Sequence, residues 1–266
     1  MTTSNSKNFE IDVAEYIEEA FERCGLELRT GYDLKTAKRS LNLLFADWAN
    51  RGLNQWTIDQ TSITVASGVS EYPAGTLTLS VSASGSFSVG ETITGGTSAA
   101  TAIITSKPTS SSVATTVPVG TFSSGETITG GTSAATTTVS AVQDLSDVQS
   151  TIDILSAVVT RDGTDFAISR LSRSEFLNIP TKTQTGRPNQ FFLDRQITPV
   201  LKIWPVPDNN TDILKFNRLT RIEDADAFTD TIDVPFRFYP CLAAGLAYYL
   251  SMKKKSANDG DVKVYL

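Results

Sequence analysis

Apolar positions recur with helical spacing at both ends of the chain. Near the N-terminus Val13, Ile17, Ala20, Phe21 and Cys24 fall on one face of a helix over about 11–24. Asp12 and Glu15 have the spacing of a capping box, and Gly25 supplies the stop. A second helix is predicted from about Asp33 to 51. Its apolar residues Leu34, Ala37, Leu41, Leu44, Phe45 and Trp48 keep i, i+3, i+4 spacing, and Gly52 ends it. The two helices are expected to form an antiparallel hairpin. A final helix starts after Pro235 and covers about 236–255. Leu242, Leu246, Tyr249 and Leu250 lie on its apolar face, and Lys253–Lys255 sit at its C-terminal end, where the helix dipole favours cations.

Between these helices the pattern changes to period two. QTSITVASGVSEYP reads as two short strands around Ala66–Gly68. TIDILSAVVTRDGTDFAISRLS reads as two strands joined at Asp162-Gly163, a strong hairpin signal. SRSEFLNIP predicts a short helix with Ser172 or Ser174 as cap and Pro180 as stop. NQFFLDR, TPVLKIWPVP and ILKFNRLT predict three more strands, with a turn at Asp208–Asp212.

An internal repeat interrupts this body. GSFSVGETITGGTSAATAIITS (85–106) and GTFSSGETITGGTSAATTTVSA (120–141) share fifteen of 22 positions at an offset of 35. The segment 76–143 carries only Glu91, Lys107 and Glu126 as charges, and only Phe87 and Phe122 as aromatics. A disordered Ser/Thr linker would have a similar composition, but the alternation in ETITGG and AIITS favours strands. Each repeat is read as a hairpin, with the Gly-Gly pairs at 95–96 and 130–131 as tight turns. Phe87, Ile93 and Ile103, with Phe122, Ile128 and Val139 as counterparts, would form a shared core.

The whole is therefore read as α+β. An N-terminal antiparallel helical hairpin and a C-terminal helix accompany a β-strand body, and an all-β repeat domain is inserted. The body is assigned to 1–75 and 149–266 and the insert to 76–148. Without the insert, the strands Ile63–Val65 and Ile154–Val159 would be neighbours.

Composition narrows the chemistry. The 266 residues are enough for a core without disulfide or metal staples. The chain has no histidine, which removes His-based triads, His general bases and His metal ligands. Cys24 and Cys241 are far apart in apolar helical surroundings and read as two buried thiols, as expected of a reducing cytoplasm. A net charge of −6 is the opposite of what a protein gripping DNA phosphates usually shows. The apolar runs are too short for a membrane-spanning helix, and the polar start MTTSNSKNFEID resembles no secretory signal. There is no Walker loop and no GxSxG. The EDAD run at 223–226 lacks the ligand spacing of a calcium loop and reads as a solvated acidic loop. No catalytic residue, cofactor or metal is assigned.

What remains is a set of candidate interface residues. Arg170, Arg173, Arg187 and Arg195 cluster in one stretch; they serve either an interface or surface pairing with acids such as Glu175, Asp194 and Asp165. Gly186 and Pro188 flank Arg187 in a turn that would present it outward. Trp48 is read as core, while Trp56 and Trp204 near element ends suit either core or subunit contact.

Four segments in order resemble the head-to-tail adaptor (connector) family of tailed, mainly short-tailed, bacteriophages. They are LNLLFADWANRGLNQW (41–56), DQTSITVASGVSEYP (59–73), the stretch from RDGTDFAISRLS to LKIWPVPD (161–208), and VPFRFYPCLAAGLAYYLSMK (234–253). The resemblance skips the repeats. It implies a non-enzymatic virion protein of the neck or tail, assembled in the host cytoplasm. It would bind the portal protein as a homo-oligomeric ring of twelve copies. The ring would extend the DNA channel without specific DNA binding, and would be a platform for tail tube, nozzle or fibre proteins. No membrane is involved. Family members commonly continue past the closing helix into a helical tail that contacts the portal, whereas this sequence ends at KVYL. GETITGG-type repeats are similar to those of exposed β modules in assorted virion proteins. An alternative is a tail-associated receptor- or glycan-binding module acting through the repeats, for which Phe87 and Phe122 would have to be exposed. A third reading, a cell-wall hydrolase with two carboxylates, has no residue pair to recommend it.

Overall fold

The computed structural model describes residues 5–254 except Lys7, Arg29 and Asn54. Lys255 and the KVYL end lie outside the described residues. The chain opens with helices α1 (Val13–Arg23) and α2 (Gly31–Asn50). Strands β1 (Ile58–Thr64), β2 (Glu71–Pro73), β3 (Thr78–Ser80), β4 (Thr92–Gly95), β5 (Thr101–Thr109), β6 (Ser112–Thr115), β7 (Thr127–Gly130) and β8 (Thr136–Thr138) follow. After helix α3 (Ser146–Ser150) come β9 (Thr151–Arg161), β10 (Thr164–Arg170), helix α4 (Arg173–Leu177), β11 (Gln190–Asp194), β12 (Val200–Trp204) and β13 (Ile213–Thr220). Helix α5 (Tyr239–Lys254) is the last described element. The fold is mixed α+β and mostly β. Its contacts divide it into two units, Met1–Thr57 with Arg221–Leu266, and Ile58–Thr220.

The helical unit starts where local chemistry dictates. Asp12 Oδ1 accepts from Glu15 N at 2.8 Å and Glu15 Oε2 accepts from Asp12 N at 3.1 Å, closing the capping box. At the other end Gly25 has φ +65°, and Leu26 N donates to Phe21 O at 3.0 Å, the Schellman stop. Gly52 ends α2 the same way, with Leu53 N on Trp48 O. Helix α2 begins at Gly31 rather than Asp33, because Thr30 Oγ1 caps Asp33 N. Val13, Ile17 and Phe21 of α1, Leu41, Leu44 and Phe45 of α2, and Leu242, Leu246 and Leu250 of α5 bury their side chains in one core.

The second unit holds two sheets. The larger has seven strands in the order β1-β13-β9-β10-β11-β12-β2, antiparallel except for β10 with β11. One expectation fails here. Strand β1 does not neighbour β9, because β13 returns from late in the sequence and pairs with both. Strands β1 and β2 occupy the two edges. Six inter-strand gaps of ~4.8 Å would separate the edges of a flat sheet by ~29 Å, whereas the link through residues 65–70 reaches ~24 Å at most. The sheet must therefore curl, and Ile63, Tyr72, Val159, Leu201, Leu214 and Phe216 fill the interior. The Asp162-Gly163 turn has φ of +52° and +77°, as its hairpin role requires. Ser172, not Ser174, caps α4, with a reciprocal bond from Ser172 N to Glu175 Oε2.

The smaller sheet contains the repeats in the order β3-β6-β5-β4-β7-β8. Val81 bridges Val139, flanked by bonds from Ser82 N to Thr138 O and Ser140 N to Ser80 O, each 2.9 Å. This joins the first strand to the last, so the sheet closes on itself. Inside are Phe87, Phe122, Ile93, Ile128, Ile104 and Val139. Ile104, not Ile103, is the core residue and the true counterpart of Val139 at the 35-residue offset. Ile103 points the other way on β5 and packs on the larger sheet's core.

The Gly-Gly pairs also act differently from expectation. Neither glycine of a pair has positive φ; Ala99 and Ala134 carry it instead, at +56° and +54°. The glycines leave room for a carboxylate from the opposite repeat. A Cβ on Gly95 would sit 2.6 Å from Glu126 Oε2, and one on Gly130 would sit 2.6 Å from Glu91 Oε2. Glu126 accepts from Thr97 N, Ser98 N and Ser98 Oγ, and Glu91 accepts from Thr132 N, Ser133 N and Ser133 Oγ. Burial alone would raise both carboxyls, but these bonds outweigh it and hold them below the ordinary range. The strands obey the same exchange, with Ile93 opposite Gly130, Thr94 opposite Thr129 and Gly95 opposite Ile128. The repeats thus pair as an internal two-fold.

Buried Arg218 on β13 ties both ends of the repeat segment to the larger sheet. Its Nη2 meets Asp147 Oδ1 at 2.6 Å and Asp59 Oδ2 at 3.0 Å, while Asp147 Oδ2 accepts from Thr76 N.

Candidate interaction surfaces

Three of the four predicted arginines come together. Strand β10, the following loop and α4 bring Arg170 and Arg173 beside Arg195, at the end of β11. With Leu171, Ser172, Phe192 and Leu193 they line an open groove of about 490 Å³. Arg170 Nη2 donates to Asp153 Oδ1 at 2.8 Å and Arg195 Nη2 meets Asp153 Oδ2 at 2.7 Å, so one carboxylate serves two guanidinium groups. Partial burial pushes the Asp153 carboxyl up, but the two arginines win and its pKa lies below the usual range. Arg173 pairs with Asp194 and lies over the Phe192 ring, which stacks on Phe176 at 5.3 Å. Of the acids expected as partners, only Asp194 takes an arginine. Glu175 is used in the α4 cap, and Asp165 bonds Thr160 and Lys215. Asp153 was not foreseen, since its approach depends on the pairing of β9 with β10.

Arg187 stands apart from this groove. It is exposed, as its turn predicts, but its guanidinium lies 3.7 Å from the centre of the Phe166 ring, a cation–π stack. Trp204 is half-buried and donates from Nε1 to Thr181 O at 3.0 Å. Trp56 is also half-buried. It packs 4.7 Å from Phe238 and donates to Asp233 O at 3.0 Å. Both tryptophans are anchored within their own units.

The cysteines differ from expectation. Cys24 is partly buried and donates from Sγ to Ala247 O, whereas Cys241, in the first turn of α5, is exposed. Lys253 does lie in the last turn of α5, where Nζ donates to Ser40 Oγ at 2.6 Å. Phe87 and Phe122 are 3% and 0% exposed, so neither offers a face on which a sugar could stack. Among the described residues no group of three or more acidic or thiol side chains is placed to hold a metal. Among the same residues no helix is long and apolar enough to cross a membrane.

Sequence reasoning missed a second concave surface. It lies on the helical unit, has a volume of about 760 Å³, and is lined by Phe9, Tyr16, Phe236 and Tyr239 among others. No protein-family model matches the sequence, and no curated protein matches it.

Proposed function

We propose that the chain is a structural virion protein, a head-to-tail adaptor that acts by assembly rather than catalysis. It forms a ring beneath the portal, extends the DNA channel and receives tail proteins. The observation that carries this reading is the placement of exposed large apolar side chains on both units. Tyr32, Leu43 and Phe236 mark the helical unit, and Leu177 and Ile197 mark the β unit. In this reading neighbouring subunits cover these side chains. The arginine groove adds a further contact surface of a kind enriched at interfaces. In this reading the helical hairpin and closing helix supply the contacts around the ring and to the portal. The β body meets the tail, and the inserted repeat domain projects outward. The net charge of −6 supports a channel wall that does not trap DNA phosphates.

The test is to mix purified protein with portal rings from the same genome and to measure stoichiometry by native mass spectrometry and negative-stain imaging. Twelve copies added as one layer are expected. A portal that stays bare at high protein concentration would sink the proposal.

A further inference from the structure

Two surfaces of the helical unit complement each other, and neither is covered by other described residues. The first is the 760 Å³ groove between α1 and the stretch from Phe236 to Ala243. Its wall is aromatic. Phe236 is 66% exposed and packs edge-on against Phe9 and Tyr239, at 6.3 and 5.5 Å between ring centres. Tyr16 lines the same groove, and its buried hydroxyl has no hydrogen-bond partner among the described residues. Glu18 and Glu22 stand on the rim, one helical turn apart. Both are exposed, and their carboxylates make no ion pair or hydrogen bond among the described residues.

The second surface is the outer face of α2. Tyr32, Lys35, Arg39 and Leu43 fall at i, i+3, i+7 and i+11, one stripe of the helix. Tyr32 is 70% exposed and Leu43 52%. Lys35 and Arg39 are exposed and lack partners among the described residues. Lys38, one position from Arg39, is by contrast tied inward, donating to Asp226 O and lying over the Phe228 ring.

The two surfaces match in sign and in pitch. Glu18–Glu22 and Lys35–Arg39 are both i, i+4 pairs, each with a rise of ~6 Å along its helix. Each pair is bordered by exposed aromatic or aliphatic side chains. An amphipathic helix face laid into a hydrophobic groove is a recurrent mode of recognition. We propose that the groove of one copy receives the outer face of α2 from a second copy. Both halves are present on every chain, and each is exposed within it. The contact is heterologous, because a groove meets a helix. Every added copy therefore presents one unused half of each kind, and the series ends only when it closes into a ring. This deepens the ring reading above and rests on it, but its test needs no portal.

The experiment uses the full chain and two charge reversals, Lys35→Glu with Arg39→Glu, and Glu18→Lys with Glu22→Lys. Sedimentation velocity at low salt should show wild-type self-association that weakens as salt rises. Each reversal should weaken association at least ~tenfold, the equivalent of ~1.4 kcal/mol. An equimolar mixture of the two variants should recover it, because each reversed groove then meets a reversed helix. Circular dichroism checks that both variants stay folded. A mixture no more associated than either variant alone would overturn the contact, as would a wild-type chain that stays monomeric at low salt. A zero-length carbodiimide should also join Lys35 to Glu18 or Glu22 between isotope-labelled and unlabelled copies; cross-links confined within single copies would count against it. Recovery on mixing together with a bare portal would keep the contact and reject the adaptor reading. A decorated portal without recovery would do the reverse.

Discussion

The repeat segment and the helical unit use glutamate in opposite ways. Glu91 and Glu126 are buried, and each is held by backbone amides and a serine hydroxyl of the partner repeat. Glu18 and Glu22 are exposed, and their carboxylates bond nothing among the described residues. The sealed pair stabilises a fold, whereas the carboxylates of the open pair hold no described part of the chain in place. A carboxylate's meaning is thus set by whether its oxygens are already satisfied, not by its acidity or its sequence context.

The largest test of this contrast removes an aromatic ring from each side. Phe122→Ala should cost about 3–5 kcal/mol, since the ring is fully buried among the repeats. Phe236→Ala should change stability by no more than about 0.5 kcal/mol while weakening self-association. Thermal and urea unfolding read the first effect and sedimentation the second. A stability loss at Phe236 as large as that at Phe122 would erase the distinction. Arg218→Ala tests the tether of the repeats to the larger sheet and should cost about 1–3 kcal/mol, because Thr151 Oγ1 and the Asp147 carbonyl lose a buried donor. Proteolysis near residues 75 and 147 should accelerate in that variant.

Effects of intermediate size come from the sealed carboxylates. Glu126→Gln should cost roughly 2 kcal/mol, and Glu91→Gln about the same, by the internal two-fold. Unequal losses in urea unfolding would show that the exchange is not symmetric. Acid should act in the same direction. Both groups have lowered pKa values in the folded chain, so their contribution is complete above the ordinary glutamate range near ~4.3. It drains away as pH falls through the lower folded values. The double variant Glu91→Gln, Glu126→Gln should therefore show a shallower stability loss on acidification than wild type. Smallest of all, Glu18→Gln or Glu22→Gln should shift stability by less than about 0.5 kcal/mol. Equilibrium unfolding of these variants sharpens the contrast if the shift stays near zero.

Features decided within a few residues were legible in the sequence. The Asp12–Glu15 box, the glycine stops at Gly25 and Gly52, the Asp162-Gly163 turn and the Ser172 cap all depend on neighbours less than six residues away. What the sequence concealed was decided over long separations. Strand β13 enters between β1 and β9 from late in the sequence, and no local pattern records that. The Gly-Gly pairs read as turns because glycine usually answers a backbone need; here it answers a side chain arriving from the other repeat. At the candidate interface the type and exposure of the arginines could be read, but not Asp153, whose role follows from strand pairing. The aromatic groove escaped notice because Phe9 and Phe236 lie 227 positions apart.

The closure of the repeat sheet through Val81 and Val139 bears on crowding. A segment rich in Thr, Val and Ile with three charges over 68 residues has the makings of an aggregation hazard. Open sheet edges of that composition, held at high local concentration, would template one another into fibrils. Joining the first strand to the last withdraws those main-chain groups from circulation. The module can then be packed densely beside its copies and remain inert toward them.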